Sequence, residues 1–199
     1  MRVTVIDYKA GNLTSVLKAL RHVGAETIVT DGDLSLVEAA ERIVLPGVGH
    51  FAATERLDAT GLTAAIRAAI ARGVPFLGIC VGMQWLYAGS SEAPAQPGLG
   101  HFAESCEHFS ESTEKVPHVG WNSLEVRKDS RLLAGVEPGE HVYFTHSYKA
   151  PVTADTAAVT YYIENFASAV ERDNVMGVQF HPEKSGETGL RILRNYLRI

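Results

Sequence analysis

The stretch PFLGICVGMQWL, residues 75–86, changes from a buried-strand pattern to a helix pattern at Cys80. Gly78 and Gly82 flank this cysteine, and a strand that turns sharply into a helix through G-x-C-x-G has the geometry of a nucleophile elbow. We expect the start of the helix to favour a thiolate, and the amide of Val81 to face a developing acyl oxyanion. The alternative at this point is a small buried core cysteine, because free cysteine is among the most buried residue types.

The segments around this stretch predict alternating strands and helices in the first half of the chain. Continuous apolar runs predict buried parallel strands, and helical spacing after a cap at Asn12 predicts a helix that ends at Gly24. From about residue 101 the pattern becomes rich in strands and turns, which predicts an antiparallel edge. The fold class is therefore α/β, with a mostly parallel central sheet and a β-rich edge, in one domain covering residues 1–199. The predicted strands are 3–7, 26–30, 42–47, 76–79, 123–127, 141–148, 157–170 and 175–180, with further helices at 62–73 and 188–199.

Composition excludes several classes of function. The chain has 199 residues, 46% of them hydrophobic, and a net charge of −5 without any basic run, so we expect no nucleic-acid or membrane partner. The N-terminus lacks a secretory pattern, so we expect a cytoplasmic protein. Cys80 and Cys106 form neither a disulfide framework nor a zinc spacing, and the histidines show no ligand spacing, so we expect no metal and no cofactor. Cys106 has no glycine elbow and is interpreted as structural.

A cysteine nucleophile needs a base, and the sequence QFHPEKS offers His181 at the end of the last predicted strand. Pro182 favours an extended conformation for His181, which would place Glu183 beside the imidazole ring. The carboxylate would then hold the ring in one tautomer while the other ring nitrogen serves Cys80. Both segments leave the carboxyl ends of strands, where open α/β sheets place their sites. The alternative is an ordinary loop with a solvated histidine.

These residues carry a family resemblance. GICVG and HPE, about 100 residues apart, resemble the signature of class I glutamine amidotransferases. In addition, YKAGNL, LPGVGHF, VPHVGWN, YFTHSY and NVMGVQFHPEKS resemble, in this order, the glutaminase subunits of imidazole glycerol phosphate synthases of histidine biosynthesis. The resemblance implies a flavodoxin-like three-layer sandwich fold. It further implies that the protein hydrolyses glutamine. It also implies a heterodimer with a (β/α)₈-barrel cyclase subunit, which uses the ammonia.

The same resemblance assigns roles to individual residues. The catalytic residues would be Cys80, His181 and Glu183, and the oxyanion hole would be formed by Val81 together with Val48 and Gly49 of LPGVG. The residues implied to bind substrate are Gly47, Gln84, Glu92, Ser147 and Tyr148, and those implied to contact the partner are Trp121 and Asn122. We also expect Lys184 at the partner contact, because it directly follows Glu183. Without the resemblance, His118, Trp121, Asn122 and His146 are interpreted as satisfied structural groups.

Three other functions stay open from the sequence. The first is the glutaminase subunit of pyridoxal 5'-phosphate synthase, against which PGVGHF and VPHVGWN argue. The second is a stand-alone cysteine hydrolase or peptidase on a related fold, which would act without a partner. The third is an inactive interaction module, which would tolerate Cys80→Ala. Because no segment resembles a site for a phosphorylated imidazole precursor, we expect activation to come from the partner through the PGVG loop.

Overall fold

The computed structural model describes residues 1–10, 13–110 and 112–199 and centres on an eight-stranded mixed sheet. The strands of this sheet are β1 (Arg2–Ile6), β2 (Glu26–Thr30), β3 (Ile43–Gly47), β4 (Phe76–Cys80), β8 (Glu125–Val126), β11 (Thr156–Tyr162), β12 (Glu164–Arg172) and β13 (Val175–Val178). Their order is β2-β1-β3-β4-β13-β12-β11-β8. The first five run parallel, and the last three are joined antiparallel. The α/β fold with an antiparallel edge is therefore confirmed.

The apolar runs form the centre of the sheet. β3, β4 and β13 are buried at every residue, as is typical of parallel strands with both faces covered. In the register of the sheet, Ile79 of β4 lies opposite Val178 of β13. The carboxyl ends of these two neighbouring strands therefore lead directly to Cys80 and to the segment that contains His181.

Helices connect and cover these strands. They are α1 (Leu13–His22), α2 (Leu34–Glu38), α3 (Glu55–Ala59), α4 (Leu62–Ala71), α5 (Val81–Gln84) and α6 (Gly186–Arg198), with 3-10 turns at Phe51–Thr54 and Pro182–Lys184. In α6 the apolar residues recur at helical spacing and are buried. The hydroxyl of Tyr196 donates to the carbonyls of Ile43 (2.7 Å) and Pro75 (3.0 Å), which ties the last helix to the beginnings of β3 and β4. None of the helices in the described ranges is long and apolar enough to cross a membrane.

The β-rich half divides into more units than the sequence predicted. A two-stranded ribbon is formed by β7 (His118–Ser123) and β9 (His141–His146), and a three-stranded sheet by β5 (Gly89–Ser90), β6 (Ser105–His108) and β10 (Tyr148–Lys149). The predicted strand 141–148 is thus divided between β9 of the ribbon and β10 of the small sheet, and it does not pair with the central sheet. The short helices α2 and α3 were not predicted, because five residues carry too little periodicity. The predicted cap at Asn12 lies outside the described residues.

Candidate active site

The elbow at Cys80 is strained, and its glycines are required by close backbone packing. Cys80 has φ 55° and ψ −111° between β4 and α5, a conformation that L-residues rarely adopt. A Cβ on Gly78 would lie 2.4 Å from the carbonyl oxygen of Gly82, and a Cβ on Gly82 would lie 1.9 Å from that of Leu45. Because α5 is a single turn, a long helix dipole cannot act on the sulfur, and only first-turn amides are available.

His181 and Glu183 form a buried pair. His181 Nδ1 donates to Glu183 Oε1 at 2.8 Å, and both side chains are almost inaccessible to solvent. The contact is the predicted one, but its cause differs. His181 is extended, and Pro182 then begins the 3-10 turn Pro182–Lys184, so a tight turn rather than an extended strand brings the carboxylate to the ring.

The charge of His181 is set by its two neighbours. Burial opposes the imidazolium, but Cys80 and Glu183 outweigh it and raise the pKa of His181 to about 10. His181 Nε2 is buried and has no hydrogen-bond partner that meets the usual geometry within the described part of the chain. Cys80 is nevertheless close enough to raise the pKa of His181. Looser contacts between nucleophile and base are common in enzymes without substrate. At neutral pH this geometry therefore favours an imidazolium next to the cysteine sulfur.

A cavity of about 240 Å³ opens in front of Cys80. It brings together most of the residues that the resemblance assigned to substrate and oxyanion binding. Its walls are formed by Val48, Gly49, Cys80, Val81, Gln84, Glu92, Pro117, Thr145, His146, Ser147 and Tyr148. Gly47 is not part of the wall. It lies beneath it, so close to the hydroxyl of Tyr8 that a Cβ would be 2.2 Å from that oxygen.

The polar groups of the wall are oriented by specific bonds. Gln84 Nε2 donates to the carbonyl of Tyr148 (3.0 Å) and to Gln179 Oε1 (3.1 Å), which leaves Gln84 Oε1 buried without a partner. Glu92 Oε2 accepts from the backbone N–H of Phe51 at 2.8 Å, which fixes this carboxylate at the edge of the cavity. The carboxylate of Glu92 therefore gives the wall an acceptor that suits an ammonium group.

One amide of the PGVG loop is engaged in a backbone hydrogen bond. The N–H of Val48 donates to the carbonyl of Ala10 at 3.4 Å. Gly49, the next residue, has φ 93°, which favours glycine. Of the amides assigned to the oxyanion hole, the one on Val48 is therefore already engaged in this conformation.

Two of the three residues assigned to the partner contact meet around Tyr143. The Trp121 and Tyr143 rings are 6.2 Å apart, and Lys184 Nζ lies 5.5 Å from the centre of the Tyr143 ring. Trp121 is 56% exposed. Asn122 differs, because it is half-buried and its Nδ2 contacts His118 Nε2 (3.3 Å) and the carbonyl of Tyr161 (3.0 Å). Its contact with a partner stays a prediction.

His118 and His146 form a buried polar chain. His118 Nδ1 and His146 Nε2 are 3.1 Å apart, and His146 Nδ1 donates to the carbonyl of Tyr148 at 2.9 Å. Burial lowers the pKa of His118 to about 4 and is the largest cause that lowers the pKa of His146 to about 3. Both rings are therefore neutral and hydrogen-bonded at pH 7, which agrees with the structural interpretation of these residues.

Gln179 and Tyr143 were not predicted from the sequence as residues of the site. Gln179 is fully buried, and its Nε2 lies 3.6 Å from Cys80 Sγ. The N–H of His181 donates to the carbonyl of Tyr143 at 2.9 Å. Gln179 precedes His181 by two residues, and side chains at this spacing in an extended chain point to the same side. This spacing was the signal in the sequence that could have identified Gln179. Tyr143 had no such signal, because its contacts arise only when the ribbon packs on the site.

The remaining cysteine is remote from this chemistry. Cys106 is fully buried, and burial raises the pKa of its thiol far above the ordinary value. Its sulfur donates a long hydrogen bond to the carbonyl of Gln84, at 4.0 Å. Across residues 1–10, 13–110 and 112–199, no group of three or more His, Cys, Asp or Glu side chains is arranged to hold a metal ion.

Comparisons with known proteins identify the family. The model of the class-I glutamine amidotransferase family matches residues 4–199. Among curated proteins, imidazole glycerol phosphate synthase subunit HisH of Deinococcus radiodurans is 46% identical, covering 98% of this chain and 93% of that protein. The subunits of the same name from Aquifex aeolicus and Thermococcus kodakarensis are 44% and 46% identical, with coverage of 100% and 99% of this chain and 97% and 100% of theirs.

Solved structures agree with this fold. A crystal structure described as a glutamine amidotransferase is 20% identical with a TM-score of 0.78, covering 98% of this chain and 97% of that one. A chain in the structure of PurLQS from Thermotoga maritima is 22% identical with a TM-score of 0.73, covering 99% and 97%. By its family match and its sequence identity over nearly the whole chain, this protein belongs to the class-I glutamine amidotransferases.

Proposed function

We propose that the chain is the glutaminase subunit of an imidazole glycerol phosphate synthase, which hydrolyses L-glutamine and supplies ammonia to a cyclase subunit. One observation carries the reaction: a strained Cys80 lies beside the buried His181–Glu183 pair at the end of a cavity. The choice of this synthase over the pyridoxal 5'-phosphate synthase subunit rests on relatives that are 44–46% identical over nearly the whole chain. Cytoplasmic location is part of the proposal, because Cys80 must remain a reduced thiol.

The first half of the reaction forms a thioester. The sulfur of Cys80, having given its proton to His181, attacks the side-chain carbonyl carbon of glutamine. The carbonyl oxygen becomes an oxyanion, which the amide of Val81 stabilises together with an amide of the PGVG loop. His181 then donates its proton to the departing nitrogen, so that the carbon–nitrogen bond breaks and ammonia leaves. The raised pKa of His181 agrees with this role of proton carrier.

The second half releases glutamate. Water attacks the γ-glutamyl thioester while His181 accepts its proton, and the carbon–sulfur bond breaks to regenerate the sulfur of Cys80. Glu183 keeps the proton on Nδ1 throughout, so Nε2 remains available for both proton transfers. The sum of the two halves is glutamine plus water giving glutamate plus ammonia.

The cavity wall supports recognition of an amino-acid head group. The unpartnered Oε1 of Gln84 and the carboxylate of Glu92 supply acceptors for the α-ammonium. The carbonyls of Ser147 and Tyr148 already accept bonds from Phe109 and from Gln84. The backbone N–H groups of Ser147 and Tyr148 are therefore the donors that we assign to the α-carboxylate.

The engaged amide of Val48 supports control by the partner. In this conformation the N–H of Val48 is bonded to Ala10, so a rearrangement of the PGVG loop is needed before the Val48 amide contributes a donor. Gly49 gives the loop the conformational freedom for such a rotation. One oxyanion donor is worth about 2.7–4 kcal/mol, or roughly 100-fold to 1,000-fold in kcat. The isolated chain is therefore expected to be nearly inactive.

Exposed apolar side chains on β7 and β11 support the proposal that the cyclase binds on this side of the chain. Val119 and Trp121 of β7 and Tyr161 of β11 are 57%, 56% and 67% exposed. Lys184 adds a positive charge beside Tyr143, whose carbonyl accepts the N–H of His181. A partner that covers Trp121 with apolar side chains and offers a carboxylate to Lys184 would thus contact the backbone that holds the base.

The decisive experiment mixes the chain with a cyclase subunit and measures glutamate release, with and without imidazole glycerol phosphate. We expect stimulation of at least about 100-fold in kcat. Cys80→Ser should abolish this activity but leave the complex intact, and added ammonium should restore cyclase turnover. Cys106→Ser is the matched control and should keep the glutaminase activity. Full turnover by the isolated chain would instead indicate a stand-alone hydrolase.

A second experiment tests the partner surface. Lys184→Ala should weaken the stimulation by the cyclase while Cys80 remains reactive to alkylation. The side chain of Lys184 is exposed, and its bond to the carbonyl of His181 (3.0 Å) comes from the backbone N–H, which alanine keeps. Lys18→Ala, a lysine of α1, is the control for loss of one positive charge. Equal stimulation of both variants would remove Lys184 from the proposed contact.

A further inference from the structure

Gln179 links the sulfur of Cys80 to the wall of the substrate cavity. Its side chain is fully buried and follows β13 directly. Nε2 lies 3.6 Å from Cys80 Sγ, and Oε1 accepts from Gln84 Nε2 at 3.1 Å. Its own backbone N–H donates to the carbonyl of Ser168 at 2.9 Å, so the residue is anchored to the neighbouring strand β12. The mechanism described above makes no use of this side chain.

The contacts leave only one orientation for the two amides. An amide offers donors at its nitrogen end and acceptors at its oxygen end. The carbonyl of Tyr148 can only accept, so the nitrogen of Gln84 must face it. The same nitrogen donates to the oxygen of Gln179, which turns the nitrogen of Gln179 towards Cys80. The oxygen of Gln84, a residue of the cavity wall, is thereby left buried and without a partner among the described residues.

We propose that Gln179 is a positioning residue with two effects: its N–H holds the ionised sulfur of Cys80, and through Gln84 it fixes an acceptor that faces the ammonium group of the substrate. The inference rests on the proposed function, because it requires Cys80 to be the nucleophile. Ionisation of the sulfur and polarity of the head-group site are then parts of one hydrogen-bonded chain. Loss of Gln179 must affect kcat through the sulfur and KM through Gln84.

Other titratable groups also face the sulfur and its base, and they define the background for a pH measurement. Tyr8 from the end of β1 interacts with Cys80, and burial, with a smaller contribution from Cys80, raises the pKa of its hydroxyl. His181 and Glu183 come from the 3-10 segment, and His146 and Glu92 lie on the cavity wall. None of these groups is altered by a substitution at Gln179, so a change in the pH profile reports on the amide itself.

The test is the rate of alkylation of Cys80 by iodoacetamide as a function of pH, measured on the full chain by mass spectrometry. Gln179→Met keeps the length of the side chain and removes the donor, and we expect the pH midpoint to rise by about one unit. Gln179→Glu places an acceptor beside the sulfur and should raise the midpoint further. In the complex, Gln179→Met should lower kcat about 10-fold and also raise KM.

Two other glutamines separate this role from a structural one. Gln84→Met removes the head-group acceptor but leaves the sulfur contact, so KM should rise while the alkylation midpoint stays within about 0.3 units of the wild type. Gln96→Met is the matched control, because this side chain bonds Asp58 and Pro97 away from the cavity. It should change neither measurement. Circular dichroism verifies the fold of every variant.

A measurement on the wild-type chain covers the case in which both Gln179 variants fail to fold. The side-chain amide NMR signals of Gln179 should shift when Cys80 is alkylated, whereas those of Gln96 should not. Folded Gln179 variants with an unchanged alkylation midpoint, or a Gln179 signal that is insensitive to alkylation, would overturn the inference while glutaminase activity still required Cys80. Retention of activity in Cys80→Ser would instead overturn the proposed function.

Discussion

Replacement of Glu183 by glutamine should show how much the carboxylate contributes to the charge of His181. The contact is 2.8 Å long and almost fully buried, so solvent screening is small. A hydrogen bond to a charged group contributes about 1.5–3 kcal/mol and a neutral one about 0.5–1.5 kcal/mol. The difference of roughly 1–1.5 kcal/mol corresponds to about one pKa unit. The pKa of His181 should therefore fall from about 10 towards its ordinary value of 6.5.

The kinetic consequence follows from the same difference. Glu183→Gln should lower kcat at least about 10-fold, and more if the amide nitrogen turns to Nδ1 and moves the ring proton to Nε2. The assay is glutamate release by the complex with imidazole glycerol phosphate, from neutral to alkaline pH, together with alkylation of Cys80. Glu187→Gln is the control, because this glutamate is 64% exposed on α6. A folded Glu183→Gln protein with the wild-type kcat and pH profile would refute the reasoning.

The same pair predicts how stability depends on pH. The pKa of His181 is higher in the folded chain, about 10, than the ordinary value of 6.5. A raised pKa means that the folded state holds the proton more tightly. The contribution of the pair to the free energy of unfolding is therefore complete below about pH 6.5 and disappears as the pH rises through about 10.

Two further perturbations test the surroundings of the site. Because burial lowers the pKa of His118 from 6.5 to about 4, acid should destabilise the fold, and one such group costs about 2 kcal/mol between pH 7 and pH 5. His118→Phe should reduce the loss of unfolding free energy between pH 7 and pH 5, measured by urea unfolding. An unchanged loss would contradict the assignment of this pH dependence to His118. Gly82→Ala should destabilise the chain by about 3 kcal/mol or more, since the Cβ would collide with the carbonyl of Leu45. Gly73→Ala is the control, because a Cβ at Gly73 would meet open space although φ is 87°. It should lower the free energy of unfolding by only about 1 kcal/mol, measured by thermal or urea unfolding. Equal losses in the two variants would contradict the packing argument.

Much of the site was predictable because its determinants are local. The strand-to-helix elbow at Cys80 is encoded by two glycines within four residues of each other. The His181–Glu183 contact is encoded by a spacing of two residues, although the structure makes it through a 3-10 turn. The buried parallel strands were recognisable because a strand covered on both faces must be apolar at every position.

Residues whose roles arise from distant segments were not predictable in this way. Tyr143 meets His181 only when the β7–β9 ribbon packs against the end of β13. The engagement of Val48 with Ala10 depends on how the loops after β1 and β3 meet. Gln179 is recognisable in the sequence as a polar residue at the end of an apolar strand. Its partner Gln84 lies 95 positions away, so their contact was not predictable from local spacing.

The sequence by itself predicted the alternating strands and helices of the first half of the chain, and it led to the proposal of Cys80, His181 and Glu183 as nucleophile, base and orienting acid, because periodicity and short-range spacing indicate each of these. Only the tertiary structure decided which way the amides of Gln84 and Gln179 point and which charge His181 carries. The physical reason is that hydrogen-bond direction and pKa depend on neighbours in space and on the exclusion of water. Those conditions exist only after β4 and β13 have been placed side by side.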